Sequence, residues 1–188
     1  FAYTGVEPLE ASFQELTACA IRHGLPEAAA LCGEDRSLWL DFLFSHLVQS
    51  KPSTMLTAPS MHSKHGQHGT GLCFVYDYPA CQPSLAQTKV GDTRWVERME
   101  LFWHGVELAN GFHELADAAE QASRFEAEQQ TRRELGLLVP ESDSRFLAAL
   151  THGLPDCAGV ALGLDRLLLL LLGVDSIEQV LAFPFERA

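Results

Sequence analysis

Apolar residues in the first fifty positions recur every three or four residues, which is the spacing of one face of an amphipathic helix. The first such stripe predicts a helix over residues 8–23, with Pro8 in its first turn and Gly24 at its end. A second stripe predicts a helix over residues 34–49. Its apolar face is expected to pack on the first helix or on a sheet.

After the first seventy residues the apolar positions alternate, as they do in β-strands. The alternation predicts strands over residues 72–78, 94–103 and 106–112. Only His104 and Gly105 separate the last two strands, and so short a connection suits the turn of an antiparallel hairpin.

Helical spacing returns in the C-terminal third of the chain. Residues 116–135 predict a long helix with a charged outer face and Asp117 as its N-cap. Three further elements are expected to follow, namely a helix over 144–152, a strand over 157–163 and a helix over 165–172. The last helix contains six consecutive leucines and is expected to be buried on nearly all sides. Together these elements predict an α+β fold around a largely antiparallel sheet.

The predicted elements divide the chain into three parts. Residues 1–50 form a helical segment, residues 51–71 a flexible loop or linker rich in Ser, Pro, Thr, Gly and His, and residues 72–188 the part that contains the sheet. A histidine recurs every third residue in the loop, at His62, His65 and His68. Because no acidic or cysteine partner accompanies them, these histidines favour a solvated segment over a metal site.

The composition narrows the class of protein. At 188 residues with 47% hydrophobic content, the chain is large enough to bury a core. Its formal net charge of −12 argues against broad, salt-dependent binding to nucleic acid, which requires a surface rich in Lys and Arg. Five cysteines without metal or disulfide spacing favour a reducing compartment, and the leucine run is too short to span a bilayer. We therefore expect a cytoplasmic enzyme that is not inserted in a membrane.

The segment from Cys157 to Arg166 joins small residues to an arginine at a predicted helix start. Gly159 and Gly163 lack a Cβ, so a purine ring or a substrate can lie flat against their backbone. Arg166 offers a planar cationic fork that suits a phosphate. The alternative is that Arg166 pairs with a neighbouring acid, as arginines at helix starts commonly do.

Two carboxylates, Glu107 and Glu114, flank an Asn-Gly-Phe core further upstream. Their odd separation would place the two side chains on opposite faces of a flat strand. They can reach one site only if the strand breaks or ends between them, and Asn110-Gly111 consists of residue types that tolerate such a break. Without a break, Glu107 is a solvated strand residue and Glu114 caps the following helix.

The two segments together resemble class II aminoacyl-tRNA synthetases. Residues 157–166 are similar to the third signature motif of that class, Gly-x-Gly-x-Gly-x-Asp-Arg, and residues 105–117 to a strand of its lysine-specific members, E-(I/L)-(A/G)-N-G-F-x-E-L. The chain most resembles the branch of lysyl-tRNA synthetase paralogues that act on elongation factor P. This resemblance implies an antiparallel sheet flanked by helices, with residues 72–188 as the C-terminal part of the catalytic domain.

The resemblance also implies roles for individual residues. Arg166 and Glu107 would act in catalysis, and Glu107 and Glu114 would hold Mg²⁺. The residues expected around ATP are Glu107, Leu108, Asn110, Phe112, Gly163 and Arg166. Those expected around the amino acid are Asn110, Glu114, Gly159 and Ala161. Phe112 either stacks under the adenine or belongs to the core.

The implied activity is ATP- and Mg²⁺-dependent activation of lysine or β-lysine as an aminoacyl-adenylate, followed by ligation to a lysine of elongation factor P. Activation needs no base from the protein, because the substrate carboxylate attacks the α-phosphate itself, so catalysis rests on positioning and charge neutralisation. Two alternatives stay open: a lysyl-tRNA synthetase that charges tRNA(Lys), and a non-catalytic synthetase-like module. The complete protein is expected to be a homodimer.

The chain departs from the family pattern in two respects. The long dimer-forming helix and the arginine-bearing strand-loop-strand of class II synthetases do not occur in these residues, so we interpret the chain as a C-terminal portion that is inactive by itself. Ala161 stands where lysyl-tRNA synthetases usually have glycine. The added methyl group in the amino-acid pocket fits a preference for a β-amino acid.

Overall fold

The computed structural model describes residues 4–49 and 72–187. Three helices come first, α1 (Phe13–Arg22), α2 (Ala28–Cys32) and α3 (Arg36–Leu43), and a π-helical segment (Phe44–Gln49) continues α3. Leu16 and Leu43 are fully buried between these helices, and Trp39 is 1% exposed. The predicted loop over residues 51–71, with its three histidines, lies outside the described residues.

Helix α1 begins later than the sequence pattern predicts, at Phe13. Ser12 and Glu15 form a capping box, in which the Ser12 hydroxyl accepts from Glu15 N at 3.3 Å and the Glu15 carboxylate accepts from Ser12 N at 2.8 Å. These two bonds satisfy main-chain groups that a helix start otherwise leaves unpaired. Pro8 instead lies in the preceding turn, where its carbonyl oxygen accepts from Arg36 at 2.9 Å.

Four antiparallel strands form one sheet in the order β1-β2-β3-β4, which confirms the predicted fold class. The strands are β1 (Leu72–Pro79), β2 (Trp95–Trp103), β3 (Val106–His113) and β4 (Ala158–Leu162). The hairpin between β2 and β3 turns at His104 and Gly105, which both have positive φ angles, 51° and 76°. Two consecutive positive φ values match the right-handed twist of the flanking strands.

The remaining helices are α4 (Ala118–Glu134), α5 (Ser144–His152) and α6 (Leu164–Leu172), followed by 3₁₀ turns Ile177–Gln179 and Phe185–Arg187. Asp117 is the N-cap of α4, as predicted, and its carboxylate accepts from Ala119 N at 2.8 Å and Glu120 N at 2.9 Å. Helix α4 therefore begins only a few residues after the end of β3.

A bulge in β3 replaces the break that was predicted at Asn110-Gly111. Leu101 pairs with Ala109 and Phe102 with Glu107, so Leu108 is an extra residue on this strand. Asn110 and Gly111 pair regularly with both β2 and β4. The predicted position was wrong because Gly111 serves a close approach between strands: a Cβ there would lie 2.9 Å from the Gly159 carbonyl oxygen.

The bulge decides which side chains share a face of the sheet. Residues directly opposite each other in an antiparallel pair lie on the same face. Glu107 is opposite Phe102, Asn110 is opposite Glu100 and Ala161, and Phe112 is opposite Arg98 and Gly159. We call this surface, formed by these eight residues, the acidic face.

The prediction that α6 is buried on nearly all sides is wrong. None of its residues is fully buried, and Leu164, Leu171 and Leu172 are each more than 60% exposed. Consecutive leucines point all around a helix, whereas in the described part of the chain α6 packs mainly against β3 and the turn at Ile177–Gln179. No helix within the described residues is long and apolar enough to cross a membrane.

Candidate functional site

Glu107 and Glu114 reach the same face of the sheet because of the bulge at Leu108. Glu107 lies before the bulge and Glu114 directly after the last residue of β3. The Glu114 main chain donates to the Cys157 carbonyl oxygen at 3.0 Å, and its carboxylate lies over Gly159, where any Cβ would overlap Oε1. Gly159 is therefore the residue whose missing side chain makes room for the second carboxylate.

Arg166 contacts the strand that carries Glu107. Its Nη1 donates to the Glu107 carbonyl oxygen at 2.8 Å and lies 3.6 Å from the Glu107 carboxylate oxygen Oε2. The main chain strengthens this junction, since Gly163 N donates to the Leu108 carbonyl oxygen at 2.8 Å. Arg166 thus pairs with a neighbouring acid. Half of its side chain remains exposed, so a ligand can also reach the guanidinium.

The other predicted site residues differ in how far a ligand can reach their side chains. Asn110 and Ala161 lie opposite each other in the register, and Ala161 is exposed. The Leu108 side chain is 4% exposed and its carbonyl oxygen is bonded to Gly163, so a ligand cannot meet that side chain. Phe112 is half-buried and packs against the cluster of Tyr78, Ala86 and Val96, which places its ring partly in the core.

A second charged cluster on the acidic face escaped the sequence-based prediction. Glu100 is 7% exposed, and its carboxylate accepts from the Tyr78 hydroxyl at 2.5 Å and from Arg98. The Arg98 guanidinium also lies 4.2 Å from the centroid of the Tyr78 ring. Burial, together with donation to Glu100, raises the pKa of Tyr78 and keeps its hydroxyl protonated.

A signal for this cluster was present in the sequence. Arg98 and Glu100 occupy the same strand face as the apolar residues Val96 and Phe102. Two oppositely charged residues that lie between apolar residues on one strand face indicate an ion pair, because an isolated buried charge is costly.

His113 connects the end of β3 to two other elements. Its Nδ1 contacts the Glu97 carboxylate on β2, and its Nε2 contacts the Asp156 carboxylate in the segment that leads into β4. Hydrogen bonds to Asp156 and Glu97 raise the pKa of His113, since both carboxylates stabilise the imidazolium. The contact fixes the two chain segments on either side of Glu114.

A cavity of about 1010 Å³ lies between the helices and the β1–β2 half of the sheet. Tyr78, Arg98, Glu100 and Glu107 line it together with residues of α3 and the π-helical segment. Its size suits a ligand of the dimensions of a nucleotide. Arg166 and Glu114 are not among its lining residues. Glu114 lines a smaller pocket with Leu85, Phe146 and Leu150.

The donor set of the face fits Mg²⁺ rather than a transition metal. Among residues 4–49 and 72–187 no group of three or more His, Cys, Asp or Glu side chains is arranged to hold a metal. Magnesium is typically bound by one or two carboxylates together with substrate phosphates, and it prefers oxygen ligands. Glu107 provides carboxylate oxygens beside Arg166, whereas Glu114 follows the other end of β3. The two positions are roughly 20 Å apart along the strand, so they do not hold one ion together.

Comparison with known proteins identifies the class to which this sheet belongs. Residues 20–187 match the family described as tRNA synthetases class II (D, K and N), and the chain belongs to this family. The match confirms the predicted family and agrees with the observed antiparallel sheet and its flanking helices.

The relatives are more specific in name. A protein of Vibrio cholerae serotype O1 is 45% identical over 184 residues, covering 98% of this chain and 52% of the relative. Similar proteins of Vibrio parahaemolyticus (46%, covering 98% and 52%) and Haemophilus ducreyi (42%, covering 99% and 51%) carry the same name, Elongation factor P--(R)-beta-lysine ligase. The chain spans about half the length of the curated relatives it matches.

Proposed function

We propose that the native gene product containing this chain activates lysine or β-lysine with ATP and ligates it to a lysine side chain of elongation factor P. The observation that supports this most is the placement of Glu107, Asn110, Glu114 and Arg166 along one face of the sheet, with Arg166 in contact with Glu107. The names of the relatives supply the acceptor and the β-amino acid. In this proposal residues 72–188 are the C-terminal part of the catalytic domain.

Each group on the face has a task that its chemistry allows. The Glu114 carboxylate accepts from the ammonium of the amino acid, which orients the substrate. Asn110 and Ala161 line the amino-acid pocket, and Gly159 leaves room for the Glu114 carboxylate. Arg166 donates to a phosphate oxygen of ATP. Bound Mg²⁺, held by Glu107, would neutralise charge on the phosphates.

The substrate carboxylate then attacks the α-phosphate of ATP, which forms the aminoacyl-adenylate and releases pyrophosphate. No protein group needs to take a proton in this step, because the attacking carboxylate is already ionised. The residues of this chain therefore contribute orientation and charge complementarity. In the second step an amine of the acceptor attacks the acyl carbon and AMP leaves.

The family match favours a second candidate, charging of tRNA(Lys). The formal net charge of −12 speaks against an extensive tRNA-binding surface on this chain. We therefore rank elongation factor P above tRNA as the acceptor.

ATP–pyrophosphate exchange with the native gene product tests the first step, with α-lysine, (R)-β-lysine and ornithine as substrates. We expect exchange with a lysine isomer; its absence with every amino acid would contradict activation and favour a non-catalytic module. Transfer of the radiolabelled acyl group to elongation factor P or to tRNA(Lys) then identifies the acceptor. Elongation factor P with dimethylated lysines is the control and should receive no label.

The isolated 188-residue chain provides a further test. Since the first two synthetase motifs do not occur in these residues, we expect it to give no pyrophosphate exchange by itself. Detectable exchange by the isolated chain would contradict our interpretation of it as one portion of the catalytic domain.

A further inference from the structure

Helix α4 carries a buried side-chain amide that lacks a hydrogen-bonding partner among the described residues. Gln121 is 1% exposed, and its main-chain N–H donates to the Asp117 carbonyl oxygen at 3.0 Å at the start of the helix. Its side-chain Nε2 has no partner within residues 4–49 and 72–187. Buried N–H groups in native proteins are nearly always paired, either with protein or with ordered water. The Nε2 group therefore indicates a polar partner that these residues do not supply.

Gln121 lines a cavity of about 200 Å³ together with Glu114. All other residues that line this cavity are apolar or glycine, among them Leu85, Phe146 and Leu150. A water molecule occupies about 30 Å³ in the liquid, so the cavity has room for several. Within the described part of the chain, Glu114 and Gln121 are the two polar side chains that a molecule in this cavity can meet.

The Glu114 carboxylate is the group on that residue that still needs a donor. The Glu114 main-chain N–H donates to the Cys157 carbonyl oxygen at 3.0 Å, and its carbonyl oxygen accepts from Gln87 Nε2 at 2.7 Å. The carboxylate lies over Gly159 and receives no hydrogen bond from the residues that the structure describes. A water can accept from an amide and donate to a carboxylate at the same time. One water in the cavity therefore satisfies both side chains.

We propose that an ordered water in this cavity accepts from Gln121 Nε2 and donates to the Glu114 carboxylate, which makes Gln121 a positioning residue of the amino-acid pocket. The amide is neutral, so it fixes the direction of the carboxylate without cancelling the negative charge that attracts the substrate ammonium. The ammonium itself cannot pair with Nε2, because both groups are donors. This inference rests on the proposed function, which assigns Glu114 to the ammonium. Gln121 touches neither substrate and acts through Glu114.

A high-resolution crystal structure of the native gene product without substrates tests the water directly. We expect one ordered water within about 2.7–3.2 Å of both Gln121 Nε2 and a Glu114 carboxylate oxygen. A direct bond from Nε2 to another part of the native gene product would overturn the proposal. Waters that contact only one of the two side chains would overturn it as well. This measurement needs neither activity nor a variant.

ATP–pyrophosphate exchange tests whether Gln121 positions Glu114. Q121M replaces the amide by an apolar side chain of similar length. We expect it to raise KM for the lysine isomer roughly 10-fold and to leave kcat and KM for ATP unchanged, because the lost contact acts on ammonium binding. In an E114Q background Q121M should have little further effect. Q130M is the matched control on the same helix, since the exposed Gln130 amide donates to Glu134 at 2.8 Å, and it should leave every constant unchanged.

Melting temperatures separate positioning from a purely structural role. Q121M breaks no direct side-chain amide bond between described residues, so its melting temperature should stay close to that of the unaltered protein. A lower melting temperature with an unchanged KM for the amino acid would assign Gln121 to the packing of α4 and overturn the proposal. Multiplication of the Q121M and E114Q effects would overturn it too. Q121L serves the same cycle if Q121M does not fold.

The two readouts keep this inference distinguishable from the proposed function. If no amino acid supports exchange in the unaltered protein, the proposed function fails. If exchange is normal but the crystal structure shows no water between Gln121 and Glu114, the positioning role fails while the proposed function stands.

Discussion

The acidic face carries carboxylates in two different settings. In the β1–β2 half, Glu100 is 7% exposed and is neutralised by Arg98 and Tyr78. In the β3–β4 half, Glu107 is 35% exposed, and Glu114 is half-buried over a glycine. A glutamate thus contributes to stability where the chain supplies its hydrogen-bonding partners. Where the surface is exposed, a glutamate remains available to a ligand.

Loss of the buried Glu100 carboxylate should have the largest effect on stability. We expect Glu100→Ala to lower the free energy of unfolding by about 3 kcal/mol, because it leaves Arg98 and the Tyr78 hydroxyl without their acceptor. Urea denaturation measures the change. Glu120→Ala, which removes a 45% exposed partner of Arg124 from α4, is the control and should cost well under about 1 kcal/mol. Equal losses in the two variants would contradict the distinction between the two settings.

Loss of the Glu114 carboxylate should lower activity rather than stability. We expect Glu114→Gln to lower kcat/KM for the amino acid about 100-fold in pyrophosphate exchange, since the substrate ammonium loses its charged acceptor. The melting temperature should change little. Glu120→Gln is the matched control with normal exchange. A Glu114 variant that is unstable yet fully active would place Glu114 in the structural group with Glu100.

Removal of one methyl group in the β3–β4 half, at Ala161, should alter substrate preference. Ala161 is exposed directly opposite Asn110, so removal of its methyl group enlarges the proposed amino-acid pocket. We expect Ala161→Gly to shift kcat/KM toward α-lysine by about 10-fold relative to β-lysine, a size typical of one methyl group. Competition between the two isomers in pyrophosphate exchange measures the ratio. An unchanged ratio would contradict the role of Ala161 in the preference.

The smallest expected effect is on stability and concerns His113, the last residue of β3, which is held by Glu97 and Asp156. Because its pKa in the folded protein is raised above the ordinary value of 6.5, its stabilising contribution is fully present below pH 6.5 and is lost as the pH rises through the raised value. His113→Gln should therefore lower the melting temperature at pH 6 more than at pH 9. His152→Gln on α5 is the control; an equal loss at both pH values for His113→Gln would contradict the imidazolium contact.

The sequence predicted most of the fold because its signals are local. Alternation and turn residues located β1, β2 and β3, and the Asp117 cap located the start of α4. The bulge at Leu108 carries no such signal, since no Gly or Asn marks it and only the pairing with Phe102 reveals it. The exposure of α6 escaped prediction for a related reason: leucine composition indicates an apolar helix, whereas burial depends on what packs around it.

Some residues of the candidate site were also identifiable from the sequence, and others were not. Glu107, Glu114 and Arg166 were identifiable from motifs, but the placement of the two carboxylates on one face depends on the bulge and on Gly159. Arg98 and Glu100 were missed because their charge suggests a solvated strand, while the three-dimensional structure provides a partner for each.

A crystal structure of the native gene product with Mg²⁺, a non-hydrolysable ATP analogue and lysine tests the central claim most directly. We predict that a phosphate lies within hydrogen-bond distance of Arg166, that the metal binds the Glu107 carboxylate, and that the lysine ammonium contacts Glu114. Binding of the nucleotide and the amino acid away from these three side chains would contradict the account.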